Sequence, residues 1–161
     1  MKIGITGHQR LKNEKLWDWV KLKIDDLLSQ VQSPLIGLSS LAIGADQVFA
    51  KSILENDGSL HVIVPFDGYE MKFSEGVDRE EYFHLLNKAT SIDILAKEHS
   101  EEESYFKAGK KIVDDSSFLI AVWDGKPAAG LGGTGDVVKY ARQMSKKVIH
   151  LNPISHTITR K

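Results

Sequence analysis

The residues able to do chemistry gather in three glycine-bearing segments, each lying where an apolar run gives way to a helical pattern. The longest is Asp124-Gly125-Lys126-Pro127-Ala128-Ala129-Gly130-Leu131-Gly132-Gly133-Thr134-Gly135-Asp136. Glycines let backbone N–H groups approach an anion closely, and a helix beginning there adds partial positive charge. Thr134 can cap that helix or bond a phosphate oxygen. Gly130, Gly132 and Gly135 formally fit the dinucleotide spacing, yet they follow the fifth apolar run rather than the first. The acidic ribose partner about 20 residues on is also missing. Asp136 stands where a P-loop carries Lys, so that motif is excluded.

The second segment is Thr6-Gly7-His8-Gln9-Arg10. Gly7 permits a tight turn, and Arg10 can grip a phosphate through two parallel bonds. His8 reads first as a hydrogen-bonded structural residue and second as a general base. The third segment runs from Ser39 to Asp46, and Asp46 opens a helix, where a carboxylate is stabilised by the macrodipole. Pro65-Phe66, ending a third apolar run, offers an apolar wall for a base. The expected ligand-binding set is therefore Gly7, His8, Arg10, Ser39, Gly44, Asp46, Pro65, Phe66, Asp124, Gly132, Gly133, Thr134 and Gly135. Asp46, Asp124 and Asp136 are the acids placed to reach the same edge, and so the catalytic candidates.

Several chemistries are set aside. Gly37-Leu38-Ser39-Ser40-Leu41 is not a nucleophile elbow. The six histidines, at 8, 61, 84, 99, 150 and 156, show no metal-ligand spacing, so no metal is expected. The chain has no Cys, which removes disulfides, thiolate sites and a cysteine nucleophile. No cofactor is expected beyond a nucleotide-type ligand. Trp17 belongs to a helical core stripe and Trp19 flanks it, so neither reads as a base-stacking platform.

Elements that could position these segments alternate along the chain. Ile3 to Ile5 reads as a first strand, followed by an amphipathic helix with Asn13 as its N-cap and Leu16, Trp17, Val20, Ile24, Leu27, Leu28 and Val31 on one face. Further strands are read at Leu35–Leu38, Leu60–Val64, Ser91–Ala96, Phe118–Trp123 and Lys147–Leu151. Helices are read from Gly44 to Asn56, Asp78 to Ala89, Ser100 to Asp114 and Thr134 to Met144. Asp78 with Glu81, and Ser100 with Glu103, have capping-box spacing. Phe66 to Val77 reads as a long loop, a common place for a functional lid.

This alternation predicts an α/β fold with a doubly wound parallel sheet of about six strands and helices on both faces. If strands one and five both supply ligand loops they must be neighbours, which gives the order 4-3-2-1-5-6. The 161 residues suit a single domain, residues 1–161, with 152–161 as a frayed tail. Lys+Arg number 21 against 22 Asp+Glu, a formal net charge of -1. That balance speaks against a duplex nucleic-acid or membrane-surface partner while leaving room for a small basic pocket. The expected location is cytoplasmic, the expected partner a small nucleotide or nucleotide-derived molecule, and the reading allows a homodimer.

The three loops in this order resemble the SLOG superfamily, which unites the DNA-processing protein Smf, the Lonely-guy phosphoribohydrolases and many bacterial ligand sensors. The resemblance attaches at Thr6-Gly7-His8-Gln9-Arg10, at Gly44-Ala45-Asp46 with Ala50, and at Val64-Pro65-Phe66. It continues through Asp124-Gly125 to Gly132-Gly133-Thr134-Gly135-Asp136-Val137-Val138 and Tyr140-Ala141. It implies a Rossmann-like domain that binds a nucleotide or nucleotide-derived ligand as a sensor or binding module. The alternative is an N-glycosidase, either a phosphoribohydrolase or an enzyme similar to the nucleoside 2-deoxyribosyltransferases, whose motif resembles Asp124 to Ala141. Aligned on Thr134, the glutamate that works on the ribose in those enzymes is replaced by Val137. Asp136, one residue early, points about 100° away on a helix.

Overall fold

The computed structural model describes residues 1–128 and 130–161; Ala129, within the glycine-rich segment, lies outside the described residues. The chain runs β1 (Lys2–Gly7), α1 (Leu16–Leu28), β2 (Ile36–Ser39), α2 (Ala45–Glu55), β3 (Ser59–Val64), α3 (Val77–Leu86) and β4 (Ser91–Ile94). It continues through α4 (Glu101–Asp115), β5 (Phe118–Val122), α5 (Thr134–Gln143) and β6 (Lys147–Asn152) to β7 (Thr157–Arg160). The sheet order is β4-β3-β2-β1-β5-β6-β7. Strands β1 to β6 are parallel, in the order the two-loop site requires.

The seventh strand corrects the sequence reading. Residues expected to fray instead turn back and pair antiparallel with β6, Leu151 opposite Ile158. Asn152 Oδ1 accepts the N–H groups of Ile154 and Ser155 at 3.0 and 3.2 Å, a local turn that sends the chain back. His156 stacks on Trp19 with ring centroids 4.9 Å apart. Thr157 to Arg160 are all exposed, so no buried face announced this edge strand.

Alternate residues divide the core into layers, as the period of two requires. Ile3 and Ile5 of β1, with Ile120 and Val122 of β5, pack against α1 and α2 through Ile24, Phe49 and Ile53. Leu119 and Ala121 face the other way, against Ile112 of α4 and Val138 of α5. A third cluster joins Val62 and Val64 of β3 to Tyr69, Phe73 and Tyr82, so the supposed loop after β3 is folded into the core. Tyr69–Lys72 form a 3-10 turn there.

The helix starts differ in how they are made. Ser100 Oγ accepts the Glu103 N–H at 3.1 Å, as its spacing predicts. The Asp78–Glu81 box does not form: α3 begins after Gly76, which has φ 92, and no side chain caps it. Glu81 pairs instead with Lys51 at 2.9 Å. Asn13 caps a turn before α1, its Oδ1 taking the Lys15 N–H at 3.0 Å.

Candidate functional site

The order β2-β1-β5 makes β1 the point where the chain reverses direction across the sheet, and loops on either side of such a point part to leave a crevice. A cleft of about 830 Å³ opens there, bounded by the loops after β1, β2, β3 and β5. Residues far apart in sequence meet in it because each follows the carboxyl end of a parallel strand.

The β1 loop is locked to its neighbours by backbone bonds. The His8 N–H donates to the Val122 carbonyl at 3.0 Å, and the Ala45 N–H donates to the His8 carbonyl at 3.1 Å. Gly44 makes the second contact feasible. It has φ 86, and a Cβ there would lie 2.4 Å from the Gln9 carbonyl oxygen. Gly44 therefore lets the β1 loop cross the start of α2, and does not itself line the cleft.

Asp46 sits at the bottom of the cleft, 8% exposed. Its Oδ2 accepts the N–H groups of Ser40 and Ala42 at 3.2 and 3.4 Å, shaping the β2–α2 turn around the carboxylate. Burial outweighs those bonds and pushes the carboxyl up to about 7. Ser39, expected as a ligand residue, is fully buried. Its Oγ accepts the Leu41 N–H at 3.0 Å, and Ser40 faces the cleft instead.

Asp124 belongs to the opposite wall. Its Oδ1 accepts the Lys126 N–H at 2.9 Å, and that bond holds the carboxyl below the usual range. His8 Nε2 accepts the Asp124 N–H at 3.2 Å, so this histidine ties the β1 and β5 loops together and its Nε2 is not free to act as a base. Of the three acids, Asp136 is turned from the cleft: its Oδ2 accepts the Gly132 N–H at 3.0 Å, bracing the glycine loop. Val137, at the position of the missing glutamate, is buried among α4 and α5 side chains.

Gly132, Gly133, Thr134 and Gly135 form one wall, at the start of α5. No side chain caps this helix, and the first N–H groups of any helix lack intrahelical partners. The residues that carry them line the same space as Arg10. Gly132 has φ 85, and a Cβ there would sit 2.8 Å from the Glu102 carbonyl oxygen, so only glycine lets the loop lie against α4.

The apolar wall differs from expectation. Pro65 lines the cleft, but Phe66 is buried behind it, 5.9 Å from both Tyr69 and Tyr105 by ring centroid. Tyr69, Phe73 and Tyr105 supply the wall, with Lys72 near its rim paired to Glu101. Sequence reasoning missed these residues. The signal available was the aromatic density of Phe66, Tyr69 and Phe73 inside a stretch read as a loop.

Neither a family model nor a curated protein sequence matches the chain. Its fold is similar to that of DNA processing protein A from Streptococcus pneumoniae, with TM-score 0.65 and 13% identity over 94% of this chain and 50% of that one. DNA processing protein A from Helicobacter pylori gives TM-score 0.62 and 14% identity over 94% of this chain and 65% of that one. The chain thus spans about half to two thirds of the length of these neighbours. The fold is the α/β, Rossmann-type architecture of DNA processing protein A, the fold the SLOG resemblance implied.

The expected partner is corrected by the same comparison. The sequence reading placed a small nucleotide-type molecule in the cleft and set aside duplex nucleic acid, whereas the Helicobacter pylori protein is described by its single-stranded DNA binding mode. The physical reason is that net charge averages over a whole surface, while a strand is held by the few cations and N–H groups it touches. Neither neighbour supports the N-glycosidase alternative. Among the described residues, no helix is long and apolar enough to cross a membrane.

Proposed function

We propose that this chain is a single-stranded nucleic-acid-binding module that seats a backbone phosphate at the glycine loop. The observation that carries this reading is the convergence of Arg10, Thr134 and the uncapped start of α5 on one cleft at the carboxyl edge of β1 and β5. A phosphate there meets backbone N–H donors, a helix N-terminus and a guanidinium. Tyr105, half-buried beside Pro65, gives an aromatic surface for the attached base, and stacking of that kind tolerates any base. The fold neighbour described by its single-stranded DNA binding mode supports the choice of ligand class.

The test is fluorescence anisotropy of a dye-labelled oligothymidylate at low salt. Wild-type protein should bind, and Arg10→Ala should weaken binding by roughly 1.5–3 kcal/mol, the worth of a hydrogen bond to a charged group. Absence of wild-type binding, or equal affinity in the variant, would overturn the reading.

A further inference from the structure

The cleft does not end at the glycine loop. Beyond it a second depression of about 650 Å³ opens along the outer face of α5, lined by Trp123, Pro127, Ala128, Lys139, Arg142 and Gln143 among others. Trp123, Pro127 and Ala128 line both spaces, so the two meet across the loop. Arg10 and Lys126 line the first space, Lys139 and Arg142 the second. All four are exposed, and none makes an ion pair among the described residues. Cations without an ion pair occur elsewhere too, Lys12 and Lys88 among them; these four are set apart by their placement on the two sides of one glycine loop.

The acid of the second depression is Asp136, whose carboxylate is already engaged by the Gly132 N–H. The Arg142 guanidinium lies over the Trp123 ring, 6.0 Å from its centroid, which holds this cation beside the loop. Cations therefore stand on both sides of one loop: Arg10 and Lys126 on the cleft side, where Asp46, Asp78 and Asp124 are also found, and Lys139 and Arg142 on the other, where the one acid is already engaged. A single nucleotide would occupy one side and leave the other two cations unused. A strand crossing the loop would use all four.

Resting on the function proposed above, we infer that Lys139 and Arg142 form a second nucleotide subsite. The site then holds at least two consecutive nucleotides of one strand, with the phosphate between them over the glycine loop. Pro127, exposed and lining both spaces, provides the apolar contact for the second sugar and base.

The experiment compares thymidine 5′-monophosphate with oligothymidylates of increasing length, on the full chain and on the double variant Lys139→Gln/Arg142→Gln. Wild-type affinity should rise with length. The double variant should bind the mononucleotide as wild type does, lose roughly 10-fold or more on the longer strands, and show a salt slope shallower by about 1.4, two single-strand phosphate contacts. Lys88→Gln, exposed after α3 and next to the far edge strand β4, should change neither quantity. Equal affinity and slope in the double variant and wild type would overturn the second subsite while leaving strand binding intact, and so would a matching loss in Lys88→Gln. Failure of wild type to bind any strand would overturn the function on which the subsite rests.

Discussion

Asp46 shows what a single buried acid costs and what it does. Its carboxylate organises the turn that carries Ser40 and Ala42, yet burial raises it to about 7 while an unfolded aspartate titrates near its ordinary value of 3.8. Between those values the folded state holds a proton that the unfolded state has lost. Stability from this group is thus fully present below about 4 and falls as pH rises through about 7. The loss amounts to a few kcal/mol, on the order of ~1.4 per unit of pH across that window. Asp46→Asn keeps an oxygen acceptor for the two N–H groups without the charge. Denaturant titrations should find this variant more stable than wild type at pH 8, with the gap closing near pH 4. A gap that does not change with pH would mean that Asp46 is not the titrating group.

At the scale of elements, the site depends on loops approaching closer than side chains permit. Gly44 combines φ 86 with a carbonyl oxygen 2.4 Å from where its Cβ would stand. A substitution there meets both left-handed strain and a backbone clash, neither of which a rotamer change can relieve. Gly44→Ala should lower stability by ~1–3 kcal/mol and weaken oligothymidylate binding beyond that, because the β1 loop that carries Arg10 must shift. Chemical denaturation and anisotropy on the same preparation check this. A variant of native stability and affinity would mean the loop accommodates a side chain freely. The long stretch after β3 acts at this scale too: it hangs Tyr69 and Phe73 on the core and so builds the apolar wall.

For the whole molecule, strand binding must appear as stability, since a ligand that binds only the folded state raises the unfolding free energy by mass action. Oligothymidylate at 100 times its dissociation constant should add about 2.7 kcal/mol. For a chain of this length that raises the melting temperature by roughly 5–10 °C. Scanning calorimetry with and without the strand reads it directly. No shift at that concentration would mean that the anisotropy signal came from unfolded or non-specific material. The same view explains why the overall charge of -1 misdirected the reading of partners: the sum counts carboxylates such as Glu98 and Asp115, which are taken up in ion pairs with Lys107 and Lys111 and say nothing of the charge a strand would meet.

The sequence by itself determined the strand–helix alternation, the parallel order of six strands and the three loops at one edge, because apolar periodicity and glycine placement are local signals that the sheet then obeys. Tertiary structure alone decided the rest. Thr157 to Arg160 carry no buried face, so only pairing with β6 makes them a strand. Ser39 and Phe66 look like ligands in sequence, but a residue beside a site turns inward or outward according to the strand register and the packing behind it. Tyr69 and Tyr105 reach the cleft from elements 36 positions apart, and no spacing rule joins them. Lys139 and Arg142 read as ordinary charges on a helix until the fold places them, unpaired, beside the loop that Arg10 approaches from the other side. Contacts of this kind are fixed by long-range packing, which local pattern does not encode.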